Sequence, residues 1–332
     1  MLGLFQTHGI YEGSDPIKWR VFRERFSSSL VLVGMVDTKA PTIVERRAKR
    51  AEKRIKQRAI TILRADKMHK ARLLAEQAGI AQLTSLPPAL NIGCSGWFYW
   101  HLKGSFYPSQ MPTKEWFAHY TDHFSTVELN APFYSWPTLG SVQSWRKQAE
   151  GRDMVYTVKV SELITHIRKF EGTGTLIRDF GYIADLLGPR MGCFLFQLPP
   201  SYHYSPARLR DIVGQLDPAR RNVIEFRHAS WWNDDVYAAF EKAGTIFCSC
   251  SGPGLPDDMI KTADDVYIRF HGVERWYRHD YSHEELAEWA RRISQARAKR
   301  VWIYFNNDFD GYAIKNATML AAILSGGERL PG

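Results

Sequence analysis

Cysteine is scarce in this 332-residue chain: Cys94, Cys193, Cys248 and Cys250 are the only four, and no two have CxxC spacing. Neither a disulfide-stapled fold nor a cysteine-rich zinc site is expected, and the four read as buried small hydrophobes. Long apolar runs are absent too. Leu30–Val36 falls far short of the ~20 apolar residues a spanning helix needs, and no basic segment followed by a long apolar stretch opens the sequence. A cytoplasmic protein with no membrane span is the expectation. Three further absences narrow the chemistry. GxGxxG and GxxxxGK[ST] do not occur, which argues against a glycine-rich phosphate loop, and GxSxG does not occur, which argues against a serine nucleophile on an elbow.

Basic excess is missing where chemistry is expected. Residues 1–80 hold 17 Lys and Arg against 8 Asp and Glu, whereas the remainder holds 27 against 27, so the net charge of +9 belongs to the N-terminal quarter. Arg46, Arg47, Lys49, Arg50, Lys53, Arg54, Lys56 and Arg58 crowd a few helical turns. Pro41 near the start and Gly79 at the end predict one long helix between them. Val44, Ala48, Ala51, Ile55, Ala59 and Ile62 keep the spacing of a single, shallow helix face. That face could lie on the barrel or pair with another helix; the basic surface suits a solvated arm or one that meets the phosphates of nucleic acid, and the latter use defines the alternative function, a non-catalytic nucleic-acid or partner-binding protein. Residues 1–40 carry no legible motif. Leu86-Pro87-Pro88 marks the expected boundary between an extension (1–88) and a main domain (89–332).

What the main domain does have is alternation. Strand-like runs at 90–95, 125–130, 154–160, 191–198, 222–227, 244–249, 265–270 and 300–305 are separated, in most cases, by helical patterns. Eight strands in strand–helix alternation predict an α/β fold, a TIM-like (β/α)8 barrel, with an open doubly wound sheet as the alternative.

Side chains on a strand alternate faces, so the polar residues in these runs can be sorted by side. Glu128 shares a side with Asn130, Glu225 with Arg227, and Arg269 with His271. Lys159, Gln197 and Asn306 close their own strands. All stand near C-terminal strand ends, where barrels build their sites, and a charge buried there is expensive unless paired. Three fixed cations against two carboxylates favour a phosphate-bearing or other anionic substrate held by Lys159, Arg227 and Arg269, with Glu128, Glu225 or His271 moving a proton. This is the expected function, an enzyme of hydrolase or lyase type, a phosphodiesterase among the options. The same charges also fit a mutually neutralising buried network. Other chemistries stay open. Glu128 and Glu225 as an acid–base pair would suit sugar cleavage. A divalent metal, the one cofactor considered, would need His166, His228 and His271 with Glu128, Glu225 and Asp308, which lack tight ligand spacing. Asn307-Asp-Phe-Asp-Gly311 reads better as a post-strand turn than as a calcium loop. Trp97, Tyr99, Trp100, Phe106, Tyr107, Phe133, Tyr134 and Trp136 form either a stacking wall at the mouth or loops packed by their own aromatics.

An ordered set of motifs carries a resemblance. Ile92-Gly-Cys-Ser-Gly-Trp97 with Gly104-Ser-Phe-Tyr-Pro108, Val127-Glu-Leu-Asn130 with Phe133-Tyr134, Gly192-Cys-Phe-Leu-Phe-Gln-Leu-Pro-Pro200, Glu225-Phe-Arg-His228, Arg269-Phe-His-Gly272 and Tyr304-Phe-Asn-Asn307 resemble the YecE-like family, domain of unknown function 72. The resemblance covers about residues 90 to 324. It implies a TIM-barrel fold and no particular reaction. Carried over position by position, it points to Ser95, Trp97, Tyr99, Glu128, Asn130, Lys159, His166, Gln197, Glu225, Arg227, Arg269, His271 and Asn306. Leu102 and Lys103 stand where the family pattern usually has Trp and Arg, which puts a stacking or bidentate contact there in doubt.

Overall fold

A computed structural model describes residues 42–79 and 87–326, so the expectations placed on residues 1–40 and on Leu86 lie outside the described part. The chain divides into two compact units, Met1–Ile55 and Lys56–Gly332. In the first unit, the described residues begin helix α1 (Ile43–Gln77). Thr42 and Glu45 cap it reciprocally: the Glu45 amide donates to Thr42 Oγ1 at 3.2 Å and the Thr42 amide donates to Glu45 Oε2 at 2.7 Å.

The second unit is a closed barrel of eight parallel strands in sequence order. They are β1 (Leu90–Cys94), β2 (Thr126–Leu129), β3 (Val155–Lys159), β4 (Met191–Gln197), β5 (Asn222–Glu225), β6 (Ile246–Ser251), β7 (Asp265–Phe270) and β8 (Arg300–Phe305). The expected runs overlap all eight, and no Gly-rich crossover opens the sheet. Helices α2 (Trp116–Thr121), α3 (Ala131–Tyr134), α4 (Leu139–Gln148), α5 (Gly174–Leu187), α6 (Pro206–Val213), α7 (Asp234–Ala243), α8 (His283–Gln295) and α9 (Tyr312–Leu324) fill the connections except that between β6 and β7.

Period-two alternation sorts each strand into two cores. Val127, Val158, Phe194, Ile224, Phe247, Ile268 and Ile303 face the helices, whereas Cys193, Leu195, Val223, Ile246, Cys248, Tyr267, Trp302 and Tyr304 pack separately. The second set fills the lumen. Tyr304 Oη lies 2.6 Å from Thr126 Oγ1 and 2.8 Å from Thr157 Oγ1, which ties β8 to β2 and β3 across it. Gly192 leaves the room that the Trp302 ring takes, because a Cβ there would sit 2.9 Å from it. All four cysteines are buried and unbridged.

Within this unit, α1 from Thr61 onward docks on the barrel through Thr61, Ala65, Met68 and Arg72, which are buried. Arg64 donates to Ser135 Oγ at 2.5 Å, and Arg72 and His69 meet the buried Asp179 of α5 at 2.8 and 2.9 Å. This corrects the expected apolar stripe: Ala59 and Ile62, which belong to it, are exposed. The docking face joins Ala65 and Met68, which pack in the main core, to polar partners on α5 and near α3, and a hydrophobic period does not register the latter.

Candidate active site

The C-terminal end of the lumen is closed by charge. Arg269 of β7 and Glu128 of β2 are separated in the sheet by β8 and β1, yet Arg269 Nη2 reaches Glu128 Oε1 at 2.5 Å. Its Nη1 reaches Glu225 Oε2 of β5, also at 2.5 Å. One guanidinium thus bridges both carboxylates, and all three side chains are fully buried. Glu128 has no free edge: Ser95 Oγ and Tyr267 Oη donate to it as well, both at 2.6 Å. Arg227 forms a second ion pair with Glu225. Burial alone would raise the Glu225 carboxyl, but Arg227 and Arg269, then His271, together hold it well below the usual carboxylate range.

His271 adjoins this network. Its Nε2 lies 3.1 Å from Glu225 Oε1 and 3.1 Å from Arg227 Nη2, and its Nδ1 lies 3.3 Å from Asn306 Nδ2. Burial, then Arg227 and Arg269, push it well below the ordinary histidine range, so the ring is neutral. Asn306 has only a proton to offer Nδ1, which leaves the Nε2 proton for Glu225.

A partly buried rim surrounds this floor. Arg227 lies over the Trp276 ring at 4.4 Å. Lys159, last in β3, holds its Nζ 4.4 Å over the Phe133 ring and makes no hydrogen bond or ion pair among the described residues. Burial, then the like charge of Arg269, brings its ammonium down to about 7. His166 sits in the π-helical turn Leu163–Ile167 after β3, edge-on to the same Phe133 ring at 4.9 Å. Burial and then Lys159 lower it to about 4.

The remaining expected residues divide by what they touch. Asn130 Nδ2 and Tyr99 Oη both donate to the Ser95 carbonyl, at 3.1 and 2.6 Å, and so shape the β1 end of the mouth. Gly96, at φ +112°, permits this, since a Cβ there would meet Tyr99 Oη at 2.7 Å. Gln197 donates to the Leu198 carbonyl at 2.8 Å. Trp97 turns away and packs edge-on against Phe117 of α2. The aromatic loop after β1 is held down by its own rings: Tyr107 stacks on Trp116 at 4.4 Å, with Phe98 and Trp100 beside it. Leu102 is buried in that cluster and Lys103 is exposed.

The six residues considered for a divalent metal are not brought together as one set. Asp308 faces His101 at 3.3 Å, and His228 stacks on His203 at 3.8 Å. Asp310 and Gly311, both at positive φ, make the Asn307–Gly311 segment a turn. Among the described residues one other group could ligate a metal, Glu225 with Cys250 and His271, whose ligand atoms lie within 4.8 Å of one another. Its carboxylate already carries two guanidinium ions, and a divalent cation would have to displace one of them or bear the repulsion of both. Tyr267 and Trp276 carry no mark as site residues in the sequence, and Cys250 reads there only as a buried small hydrophobe. Tyr267 was within reach, because it shares the lumen face of β7 with Arg269; Trp276 lies in a loop with no period to reveal it.

The comparisons agree with the fold. Residues 91–331 match the family described as protein of unknown function DUF72. UPF0759 protein YunF of Bacillus subtilis (strain 168) is 25% identical over 271 residues, covering 71% of this chain and 94% of that relative. The crystal structure of a DUF72 family protein from Thermotoga maritima MSB8 superposes with a TM-score of 0.65 at 27% identity, covering 72% of this chain and all of that one. A DUF72 family protein of Enterococcus faecalis V583 gives 0.62 at 17% identity over 71% of this chain and 95% of its own, a likeness of fold. No described helix is long and apolar enough to cross a membrane. With the barrel, its ordered motifs and a match across nearly three quarters of its length, the chain belongs to the DUF72 family.

Proposed function

We propose that the barrel mouth is the active site of an enzyme acting on a small anionic substrate, phosphate- or carboxylate-bearing, by lyase-type rather than hydrolase-type chemistry. The observation that carries this reading is Lys159, a partly buried cation at the end of β3 with a ring beneath it and no ion pair among the described residues. Two guanidinium ions and one lysine against two carboxylates leave the mouth one positive charge in excess when the lysine is protonated, and an incoming anion would neutralise it.

The expected roles shift accordingly. Arg269, first assigned to the anion, has both Nη atoms engaged by Glu128 and Glu225, so Arg227 and Lys159 are the groups left to face a ligand. Glu128 is saturated with donors and acts as a positioning residue. Glu225 is held ionised by its cations, which makes it a weak base and disfavours the acid–base pair that sugar hydrolysis needs. His271, neutral and oriented by Asn306, remains the histidine best placed to hold a proton near Arg227.

Thermal-shift titration with orthophosphate and with pyruvate tests the reading. Both are expected to raise the melting temperature in a concentration-dependent way, by the linkage of binding to folding, and Arg227→Gln is expected to weaken the effect. Equal stabilisation by an uncharged ligand such as acetone, or an unchanged response in Arg227→Gln, would refute it.

A further inference from the structure

We propose that Lys159 is an imine-forming nucleophile and that the substrates of the mouth are small anionic aldehydes or ketones. This rests on the anion-binding reading above and names the substrate class for it.

The first support is position. Lys159 follows Thr157 by two residues on β3, and Thr157 reaches Tyr304 inside the lumen, so the lysine side chain is directed into the mouth at the strand's C-terminal end. The second is the absence of a partner where partners are at hand. Glu128 and Glu225 belong to the same mouth, but Arg269 bridges both and Arg227 adds to Glu225, so the carboxylates are engaged by guanidinium ions. The third is the Phe133 face below Nζ, which shields the amine from water on one side without accepting a conventional hydrogen bond. Burial, then the like charge of Arg269, outweigh the ring's own attraction for the ammonium and bring it to about 7 from the ordinary 10.5. At neutral pH its nucleophilic free-amine fraction is then roughly a thousandfold larger than that of a solvated lysine.

The step balances without a redox partner. The nitrogen lone pair adds to the carbonyl carbon and the C=O π pair moves to oxygen. A proton passes from nitrogen to that oxygen to give the carbinolamine. With one further proton from solvent, the hydroxyl leaves as water and a protonated imine remains. Amine, carbonyl compound and one proton go in; iminium and water come out. The iminium withdraws electrons from the neighbouring carbon, which eases loss of a proton or cleavage of a C–C bond there, and Arg227 would hold the substrate's anionic end.

Reductive trapping tests this on the full-length protein. Pyruvate, glycolaldehyde phosphate and uncharged glycolaldehyde are each incubated with the protein and sodium cyanoborohydride, and peptide mass spectrometry locates the adduct. The two anions are expected to label Lys159 at least about tenfold faster than any other lysine, with glycolaldehyde showing a smaller preference, since it keeps the advantage of the free amine and lacks the charge for Arg227 to hold. Arg227→Gln should slow labelling by the anions alone, and Lys159→Arg should abolish the site. Because the adduct is located in the unmodified protein, the result does not depend on a variant folding. Labelling spread evenly over surface lysines overturns the imine proposal. If thermal stabilisation by phosphate and pyruvate persists in that case, the anion-binding reading survives; if it is also missing, both fall.

Discussion

Arg269 and Glu128 meet at 2.5 Å across the lumen, on strands that are not neighbours, with neither side chain reaching solvent. Removing one member of such a pair strands the other as an uncompensated buried charge, which typically costs about 3–5 kcal/mol. Arg269→Met is therefore expected to lower stability by roughly that amount, read from the urea midpoint at constant slope. A loss under about 1 kcal/mol would mean that the pair behaves as a solvated one.

Lys159 gives stability a pH dependence of definite sign. Its ammonium titrates near 7 in the folded protein and near 10.5 when solvated, so between those values the unfolded chain binds more protons. Stability contributed by this group must rise with pH across that window, and the charged form weighs against folding below it. Burial, then Arg269 and Arg227, push in this direction, Glu225 and Glu128 oppose it, and His166 is neutral throughout the window. The parent protein is expected to gain stability in denaturant melts between pH 7 and 10, and Lys159→Met to remove that rise. Parallel curves for the two proteins would contradict the assignment.

Asp179 anchors the second half of α1. It is buried and takes Arg72 at 2.8 Å and His69 at 2.9 Å. Asp179→Ala leaves Arg72 buried with only Glu76 to pair with, so the helix should detach before the barrel melts. Hydrogen exchange is expected to show lost amide protection over residues 61–76 with protection of β1–β8 retained. Protection lost everywhere at once would make α1 an integral part of the barrel's cooperative unit.

The sheet was legible because its strands obey two simple rules, an apolar run and alternation of faces. Glu128, Glu225, Arg227, Arg269 and His271 were each found by counting in twos from an apolar neighbour. Their pairing was not legible, since which cation reaches which carboxylate depends on strand tilt and on the lumen's width. That is why Arg269 was first given to a substrate and Lys159 treated as its equal. The α1 face was misread for a related reason: Arg72 is buried by what it bonds to, and period analysis weighs only what water rejects. The aromatic loop after β1 left two alternatives that only Trp116, stacked on Tyr107, resolves.

Mouth and basic helix make separable predictions. The excess of positive charge belongs to residues 1–80, whereas the proposed chemistry belongs to strand ends in a region of balanced charge. Replacing Arg46, Arg47, Lys49, Arg50, Lys53 and Arg54 by Gln is therefore expected to leave stabilisation by orthophosphate and pyruvate unchanged. Counterion release ties each phosphate contact to a slope of about −0.9 in log K against log salt, so duplex DNA affinity supplied by this helix must fall in the variant together with its slope. Measured by fluorescence anisotropy over a salt series, an unchanged slope would assign the helix cations to a solvated surface. A weakened response to orthophosphate would instead mean that helix and mouth act on one ligand.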